Sequence, residues 1–514
     1  MDTVQKAVVL ATEKIDVIQP YLHGQFAEHL GELVYNGIWV GKDSAIPNTG
    51  GIRNDVVAAL APLELPVLRW PGGCFADLYH WREGIGPRDK RPMRVNEHWS
   101  MAPEPNSFGT HEFMQFCRMI GTEPYFAGNV GSGTVQELHD WVEYCNFAGH
   151  STLANERRAN GQAEPFNVRF WGIGNENWGC GGSMNPEQYA EEYCRYANFV
   201  MRYPGSDPFR IAAGPAGGSD WAWTRRFFER VQRFYWGRIP MVQGFAAHYY
   251  CHTAGKSATE YTPEQFTELL ARARATEGII TGTRQIMDEF DLKREVKLLL
   301  DEWGAWHPVE PGKPMGGLYQ QNTIRDGLVA AITLDVFNNQ ADKLYMANLA
   351  QLINVLQALL LVHEDKVVKT PTYHAFDLYR PHKGATAVRF LSAGEPLTDG
   401  GASAAHCKNC YLDKGAHPLR VVEGSASVKD GVLCVTAVNS HATEPVELEL
   451  EVRGATLKEG KVVTLAGKDY LSLNTFEKPN AVKLSKPQTV LAKGRTLRVA
   501  LPAAAAIRVL SKLG

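Results

Sequence analysis

The stretch Val168–Glu176 (VRFWGIGNE) runs from consecutive apolar residues directly into an amide and a carboxylate. The stretch Val296–Trp303 (VKLLLDEW) has the same form, with an apolar run that ends in two carboxylates and an indole. Strands that are apolar on consecutive residues are typical of parallel sheets buried on both faces. Because parallel strands are joined through crossover helices, these two stretches predict an α/β fold.

Outward from these stretches, short apolar runs alternate with longer segments of helical periodicity. The runs are Gln19–Glu28, Pro66–Gly73, Thr122–Asn129, Val168–Glu176, Phe209–Pro215, Val242–Tyr250, Val296–Trp303 and Leu344–Asn348. Helices are predicted over Thr110–Ile120, Thr134–Asn146, Pro186–Arg202 (capped by Asn185), Asn322–Phe337 and Leu349–Leu361. Eight strands alternating with helices predict an α/β fold of the (β/α)8 TIM barrel type. A doubly wound sheet is the alternative, but it requires a glycine-rich phosphate loop that Gln19–Gly31 lacks.

After about Pro381 the pattern changes to short alternating segments separated by turn residues. Examples are Pro445–Gly454 (PVELELEVRG) and Thr496–Leu510 (TLRVALPAAAAIRVL). This texture predicts a C-terminal antiparallel β-sandwich domain. We therefore expect a barrel over residues 15–382 and a β-sandwich over 383–514. Lys6–Leu10 is a lone strand-like segment before the barrel, so residues 1–14 are assigned to the sandwich.

Composition restricts the class of partner and the compartment. With 44% hydrophobic and 21% charged residues and a net charge of −3, the 514-residue chain offers no basic surface for nucleic acid or anionic membranes. Its first twenty residues lack a signal-peptide pattern, and no apolar run reaches the roughly 18–20 residues of a membrane span. Nine cysteines form no framework pattern, so reduced thiols and a cytoplasmic location are expected, with export by another route as the alternative.

Polar residues gather where the predicted strands end, which is where TIM barrels carry their active sites. They are Glu28, Arg69, Cys74, Asn129, Asn175, Glu176, His248, Tyr250, Asp301, Glu302 and, just past the eighth strand, Gln351. Glu176 and Glu302 end the fourth and seventh strands and face each other across the barrel mouth. Glycoside cleavage needs such a pair, since one group protonates the leaving oxygen and the other attacks the anomeric carbon or activates water.

Each glutamate alone has a simpler explanation, because an acid at the start of a helix is stabilised by the helix dipole. The two together, flanked by Asn175, Trp178 and Trp303, argue for chemistry instead. The separation of the carboxylates would decide the stereochemistry. About 5–5.5 Å indicates a retaining enzyme, and about 6.5–9.5 Å an inverting one.

Several longer motifs occur in order along the barrel. They are Phe26–Gly41 (FAEHLGELVYNGIWVG), Arg69–Pro92, Glu104–Phe113, Gly172–Gly182 (GIGNENWGCGG), His248–Tyr250, Leu298–His307 (LLLDEWGAWH) and Met346–Gln357. Together they resemble glycoside hydrolase family 51, the α-L-arabinofuranosidases, which are retaining enzymes of a large barrel clan. The resemblance covers residues 20–380, and the family also carries a C-terminal sandwich.

The resemblance implies roles for individual residues. Glu176 corresponds to the acid/base and Glu302 to the nucleophile, while Asn175 would bind the sugar 2-hydroxyl. Tyr250 would hydrogen-bond the nucleophile, and Arg69 would brace the carboxylates.

The resemblance also implies a binding pocket. Glu28 and Gln351 would bind the arabinose, and Trp99 and Trp178 would line the entrance, where sugars stack on indoles. His248 would either orient the nucleophile or only satisfy a buried hydrogen bond.

Some positions depart from the family pattern or stay open. Cys74 stands where many members have Asn, and its thiol would either contact a sugar hydroxyl weakly or only pack. Gly304 stands where an Asn often follows the DEW motif, and Asn129 is expected to be structural. The segment HCKNC, with His406, Cys407 and Cys410, would hold either a metal ion or free thiols.

The sequence thus predicts an exo-acting, retaining α-L-arabinofuranosidase. It would release L-arabinofuranose from the non-reducing ends of oligosaccharides derived from arabinoxylan or arabinan, without a metal or organic cofactor. The resemblance further implies a homo-oligomer, a hexamer. The alternatives are another glycosidase of the clan, such as an endo-glucanase or β-xylosidase, and a catalytically silent carbohydrate-binding protein, which would not need both glutamates.

Overall fold

The computed structural model describes residues 4–234, 241–394, 396–398 and 417–514. Its strands are β1 (Val4–Val17), β2 (Gly24–Phe26), β3 (Asn48–Thr49), β4 (Ile52–Arg53), β5 (Val67–Trp70), β6 (Arg94–Asn96), β7 (Ala102–Glu104), β8 (Glu123–Gly128), β9 (Phe170–Ile173), β10 (Phe209–Ala213), β11 (Gly244–His252), β12 (Lys297–Trp306), β13 (Leu344–Ala350), β14 (Leu360–His363), β15 (Lys366–Lys369), β16 (Thr386–Ser392), β17 (Val422–Lys429), β18 (Val432–Asn439), β19 (Val446–Arg453), β20 (Glu459–Ala466), β21 (Lys483–Leu484), β22 (Gln488–Leu491), β23 (Thr496–Leu501) and β24 (Ala505–Lys512). Its α-helices are α1 (Asn54–Leu60), α2 (Thr110–Ile120), α3 (Val135–Asn146), α4 (Thr152–Ala159), α5 (Pro186–Ala197), α6 (Trp221–Phe234), α7 (Pro263–Arg274), α8 (Thr276–Phe290), α9 (Ile324–Asn339) and α10 (Pro371–Tyr379).

Eight parallel strands close into a barrel. They follow one another in chain order as β2, β5, β8, β9, β10, β11, β12 and β13, and β13 pairs with β2 to close the ring. Strands β5 and β9 are buried along their whole length, because side chains fill the barrel inside and helices cover it outside. Each of the eight predicted runs overlaps one of these strands, although β11, β12 and β13 continue two or three residues past the predicted ends, so the predicted (β/α)8 barrel is confirmed.

The helices between the strands begin where the sequence signals them. Asn185 caps α5 by accepting from the Gln188 backbone N–H at 2.9 Å, and Pro186 occupies the first turn. That helix ends at Ala197, earlier than the predicted Arg202.

The predicted helix over Leu349–Leu361 is wrong. Strand β13 continues to Ala350, and a buried irregular segment follows until β14. Side-chain amides replace helical hydrogen bonds there: Asn354 accepts from the Val362 N–H and Gln357 from the Ala305 N–H, both at 2.7 Å. The apolar residues are frequent because the segment is buried on all sides, not because it has a helical face.

The C-terminal part forms a ten-stranded sheet in the order β21-β20-β24-β18-β17-β16-β1-β19-β23, with β22 on β20. Strands from both ends of this path, such as β19 with Leu450 and β24 with Ile507, share one hydrophobic core. Strand β1 lies inside the sheet, antiparallel to β16 and parallel to β19. The prediction of an antiparallel sheet therefore does not hold for the pair of β1 and β19. The domain boundary at 382/383 stays a prediction.

A buried polar cluster joins the barrel to this sheet. Asp335 on α9 accepts hydrogen bonds from Ser425 (2.6 Å) and Thr436 (2.6 Å) of the sheet and from Tyr379 of α10 (2.7 Å). Burial raises the pKa of the Asp335 carboxyl to about 7. Among the described residues, no helix is both long and apolar enough to cross a lipid bilayer.

Candidate active site

The carboxylates of Glu176 and Glu302 meet at the mouth of the barrel, with one oxygen of each less than 4.8 Å apart. Glu302 lies within β12 and is buried, whereas Glu176 follows β9 and is half-buried. Glu176 has a left-handed backbone (φ 41°), which non-glycine residues adopt rarely. The two groups differ in exposure, as the acid and the nucleophile of a glycosidase must differ in their protonation.

Arg69, at the end of β5, holds the nucleophile candidate in place. Its Nη1 donates to Glu302 Oε1 at 2.8 Å and its Nη2 to Asn175 Oδ1 at 2.5 Å. The guanidinium is 1% exposed, and burial alone would lower its pKa. The charges of Asp301 and Glu302 outweigh burial and raise the Arg69 pKa, so Arg69 is a fixed cation beside both functional side chains.

A second carboxylate lies behind the nucleophile candidate. Asp301 is 3.6 Å from Arg69 Nε, and it accepts from the Tyr125 hydroxyl at 2.5 Å and from Asn348 Nδ2 at 3.0 Å. Arg69 therefore shares its charge between two acids. Sequence reasoning named Asp301 as a strand-end residue without a role and did not find Tyr125 or Asn348. Asp301 directly before Glu302 was the one available signal.

His248 and Tyr250, from β11, complete the surroundings of the pair. His248 Nδ1 donates to Glu176 Oε1 at 2.9 Å and lies 3.5 Å from Glu302 Oε2, which accepts from the Tyr250 hydroxyl at 2.8 Å. Burial raises the pKa of the Glu302 carboxyl, but His248 and Arg69 outweigh it, so this pKa lies below its ordinary value. Burial would lower the pKa of the His248 imidazole. The negative charges of Glu302 and Glu176 outweigh burial, so this pKa lies above its ordinary value.

One wall of the site is built on Glu28, which follows β2. Its carboxylate accepts from the Phe75 N–H (2.9 Å), from Trp99 Nε1 (2.9 Å) and from Gln351 Nε2 (3.1 Å). Burial, and then the charge of Glu302, raise the Glu28 pKa to about 7. The predicted residues Glu28, Trp99 and Gln351 are thus brought together.

Cys74 and Cys180 form a disulfide, with their Cα atoms 5.6 Å apart. The expectation of reduced thiols is therefore wrong for this pair, and Cys74 has no thiol to offer a sugar. The turns after β5 and β9 end side by side, and this brings together two cysteines 106 residues apart. Cys180 Sγ lies 3.8 Å from Glu176 Oε2. His406, Cys407 and Cys410 lie outside the described residues.

Asp77 is a functional candidate that sequence reasoning missed. Its Oδ1 accepts from the backbone N–H groups of Val130 and Gly131, both at 2.8 Å, and its Oδ2 accepts from the Asn175 N–H at 3.2 Å. The side chain ties the turn after β5 to those after β8 and β9, and so fixes the backbone that carries Asn175. No sequence pattern marks a side chain whose partners are backbone groups of other loops.

The remaining predicted residues lie at the rim. Trp178 lies two residues past Glu176 in the same turn and is half-buried. Asn129 accepts from the N–H groups of Ser132 (3.0 Å) and Gly133 (2.9 Å), which agrees with the predicted structural role. Donor atoms of Glu176, His248 and Glu302 are close enough to hold a cation, but Arg69 already neutralises the Glu302 carboxylate. The arrangement fits an acid/base and nucleophile pair better.

Comparison with known proteins places this geometry in a family. The model of the α-L-arabinofuranosidase C-terminal domain matches residues 301–505, and that of the α-L-arabinofuranosidase 1 domain matches residues 59–226. An intracellular exo-α-L-arabinofuranosidase of Bacteroides ovatus is 42% identical over 96% of this chain and 93% of its own. The chain belongs to glycoside hydrolase family 51.

Solved structures agree with this assignment to family 51. The family 51 arabinofuranosidase of Xanthomonas axonopodis pv. citri superposes with a TM-score of 0.91 at 38% identity, covering 99% of this chain and all of that one. An arabinose complex of the α-L-arabinofuranosidase of Thermotoga maritima gives a TM-score of 0.85 at 30% identity, with coverage of 99% and 100%. The likeness thus spans both the family 51 barrel and the C-terminal sheet domain.

Proposed function

We propose that this family 51 chain is a retaining, exo-acting α-L-arabinofuranosidase that works by double displacement. Glu302 is the nucleophile and Glu176 the acid/base. The observation that carries this proposal is the approach of the two carboxylates to within 4.8 Å, because the retaining geometry leaves no room for a water between them. Membership of family 51 supports the same reading.

In the first step, Glu302 attacks the anomeric carbon while Glu176 protonates the departing glycosidic oxygen. Arg69 and Tyr250 hold the Glu302 carboxylate in one orientation. Its lowered pKa keeps it ionised, as a nucleophile must be. In the second step, Glu176 takes a proton from water, and this water cleaves the arabinosyl ester and releases arabinose with its original anomeric configuration.

The pocket residues serve binding in this proposal. Glu28, Gln351 and Asn175 bind arabinose hydroxyls, and Trp99 and Trp178 line the entrance. The hydrogen bond from Trp99 to Glu28 closes one side of the pocket, which supports exo action on a terminal sugar. His248 touches both carboxylates and acts as a positioning residue for the pair.

The substrate is an arabinose-containing oligosaccharide, derived from arabinan or arabinoxylan, and the location is cytoplasmic. The intracellular Bacteroides relative supports this location. We further propose a homo-oligomer, a hexamer, on the basis of the family resemblance. Sedimentation equilibrium gives the mass of the assembly directly, and a mass of about 57.0 kDa, that of one chain, would exclude it.

The test compares hydrolysis of p-nitrophenyl α-L-arabinofuranoside by the wild type, Glu302→Ala and Glu176→Ala. Glu260→Ala, at an exposed glutamate paired with Lys256, is the matched control. We expect fast cleavage by the wild type and the control, and a loss of about 1,000-fold or more in kcat for the other two. If the folded wild type cleaved only the β-D-xyloside or β-D-glucoside, the substrate assignment would be wrong; if it bound arabinosides without turnover, the chain would be a binding protein.

A further inference from the structure

A recess in the surface of the barrel domain is lined by none of the residues that contact Glu176 or Glu302. Its volume is about 550 Å³, and sites for small ligands have volumes of roughly 300–1,000 Å³. Its walls come from the segment 86–91, from α2, from the segment 159–162 at the end of α4, and from Lys42. We call this space the basic recess, because the charged residues that line it are Lys42, Arg88, Arg91, Arg118 and Glu112.

The basic recess carries a local surplus of positive charge. Four cationic side chains line it with one acid, which leaves a formal surplus of +3 in a chain whose net charge is −3. His111, which also lines the recess, adds no charge near neutral pH, because burial lowers its pKa to about 4. A concave surface with one sign of charge raises the local concentration of ions of the opposite sign. The recess therefore favours an anionic ligand.

The one acid, Glu112, orients the arginines and presents little charge of its own to the recess. Its Oε1 accepts from Arg88 Nη2 at 2.6 Å, and its Oε2 accepts from Arg91 Nη1 at 3.2 Å and from the Gly109 N–H at 2.9 Å. Burial raises the Glu112 pKa, but the charges of Arg91 and Arg88 outweigh burial, so this pKa lies below its ordinary value. Glu112 is 2% exposed and stays ionised between its two partners.

The wall formed by the segment 86–91 is held in place by Arg91. The Nε and Nη2 of Arg91 donate to the Gly86 carbonyl at 3.2 and 3.0 Å, and its Nη1 donates to the Asn106 carbonyl at 2.9 Å. Gly86 has a φ of 73°, a left-handed conformation that glycine adopts without strain. Because this wall is fixed before a ligand arrives, binding costs little ordering entropy there.

Arg88 and Arg118 keep donors that an anion can use. Arg88 is half-buried, and its Nε donates to the Ser107 carbonyl at 3.3 Å, while its Nη1 donates to no residue that the structure describes. Arg118 is exposed on α2; it makes no hydrogen bond within the described part of the chain, and its Cζ lies 6.0 Å from the centre of the Phe166 ring. A guanidinium presents its N–H groups as a planar fork that matches the oxygens of a phosphate group.

Uncharged polar groups complete the lining of the basic recess: His111, Gln115, Asn160 and Gln162. Tyr144, on α3, fixes two of them, because its hydroxyl hydrogen-bonds His111 Nε2 at 2.7 Å and accepts from Asn160 Nδ2 at 3.0 Å. Amide side chains both donate and accept hydrogen bonds, so they suit the hydroxyl groups of a sugar. The lining thus combines cations for a phosphate group with polar groups for hydroxyls.

We propose that the basic recess is a binding site for a sugar phosphate, separate from the catalytic pocket. Arg88 and Arg118 bind the phosphate group, and Asn160 and Gln162 bind hydroxyls of the sugar. The confinement of the positive charge to one recess favours a small ligand over a strand of nucleic acid. This site goes beyond the cleavage of arabinosides proposed above and does not rest on it.

The experiment measures binding by isothermal titration calorimetry near neutral pH with three probes: D-ribose 5-phosphate, D-ribose and inorganic phosphate. The salt concentration is kept at about 50 mM, because salt screens exposed charges. We expect the wild type to bind ribose 5-phosphate about tenfold more tightly than inorganic phosphate, since the sugar adds hydrogen bonds, and to bind ribose without measurable heat.

Two variants test the assigned contacts. Arg88→Ala and Arg118→Glu each remove a charged donor and should weaken the binding of ribose 5-phosphate about tenfold or more. Arg389→Ala, at an arginine on β16 whose side chain is 51% exposed, is the matched control and should bind as the wild type does. Arg118 is exposed, so its substitution should leave the Tm unchanged and report on binding alone.

Every other outcome contradicts the proposal. No heat with ribose 5-phosphate would mean that the basic recess does not bind a sugar phosphate. Equal affinities of the wild type and Arg118→Glu would place the binding elsewhere, and equal affinities for ribose and ribose 5-phosphate would place it in a pocket for neutral sugars. Equal affinities for inorganic phosphate and ribose 5-phosphate would reduce the recess to a simple anion site.

Discussion

At the scale of single residues, the pKa of the Glu302 carboxyl is set by neighbours that lower it and by burial, which raises it. Glu302 receives hydrogen bonds from Arg69 and Tyr250 and faces His248, all of which favour its ionised form. Burial opposes its ionisation, and the charges of Glu302 and Glu28 disfavour each other. The net result is a lowered pKa, so substitutions on the two sides of this balance should move the acid limb of the pH profile in opposite directions.

Tyr250→Phe removes a donor from the ionised nucleophile without changing the ring. Because a hydrogen bond to the charged form lowers a pKa, its loss raises the pKa of Glu302, and the acid limb of kcat/KM moves to higher pH. We expect kcat to fall about 10–100-fold, since the carboxylate is also less well oriented. The pH profile from 3 to 9 measures both effects, and an unmoved acid limb would contradict the assigned contact.

Asp301→Asn should change the pKa of Glu302 in the opposite direction from Tyr250→Phe. With Asp301 neutral, Arg69 directs its charge to Glu302 alone, so the Glu302 pKa falls further and the acid limb moves to lower pH. A more strongly stabilised carboxylate is a weaker nucleophile, and we expect kcat to fall about tenfold. An acid limb at higher pH than in the wild type would show that Asp301 acts on the site by another route.

At the scale of elements, the turn after β5 is the centre of the active-site framework. Cys74 joins it to the turn after β9 through the disulfide, and Asp77 joins it to the turns after β8 and β9. Glu176, the proposed acid/base, and its neighbour Asn175 are therefore carried on a turn that is fixed from two sides. Loops so fixed hold catalytic groups to the tolerance that chemistry requires.

Reduction of the disulfide should loosen this framework. A cross-link between residues 106 apart restricts the unfolded chain strongly, and its loss costs about 2–5 kcal/mol of unfolding free energy. We expect a lower Tm and a lower kcat in the presence of a phosphine reductant. The Cys74→Ser/Cys180→Ser variant serves as control, because the reductant should not change its Tm. Equal Tm values of the wild type with and without reductant would contradict the prediction.

The sequence predicted elements whose signals are local and missed those that depend on distant partners. The eight barrel strands were found because each ends a consecutive apolar run with a polar residue, as in Val168–Glu176. Glu176 and Glu302 stand out for the same reason, and the structure brings their carboxylates together, while their catalytic roles stay a prediction. Two features depend on which turns become neighbours in the fold: the Cys74–Cys180 bond and the backbone contacts of Asp77. The spacing of residues along the chain does not show which turns meet. Leu349–Leu361 failed because burial on all sides imitates a helical pattern.

At the scale of the whole molecule, the barrel and the sheet share a buried acid. Asp335 has a pKa raised to about 7, compared with about 3.9 in an unfolded chain. A group with a raised folded-state pKa contributes stability that is complete below the unfolded value and is lost as pH rises through the folded one. The contribution of this contact to the free energy of unfolding should therefore fall as pH rises from about 4 to about 7.

Asp335→Asn removes this dependence because an amide does not titrate. We expect the wild-type Tm to fall more steeply than that of Asp335→Asn between about pH 4 and 7, as measured by calorimetry. Asp377→Asn, at a half-buried aspartate on the neighbouring α10, is the matched control and should keep the wild-type slope. Equal slopes in all three proteins would mean that the pKa of Asp335 is not raised in the folded protein.

The place of β1 has a consequence for how the protein is made. Strand β1 is synthesised before its partners β16 and β19, which follow it only after the whole barrel. About 440 residues separate Val9 from Val452, so at 5–20 residues per second β1 waits roughly 20–90 s for its parallel neighbour. Throughout that wait Ala7 and Val9, which are buried in the finished sheet, lack the strands that will cover them.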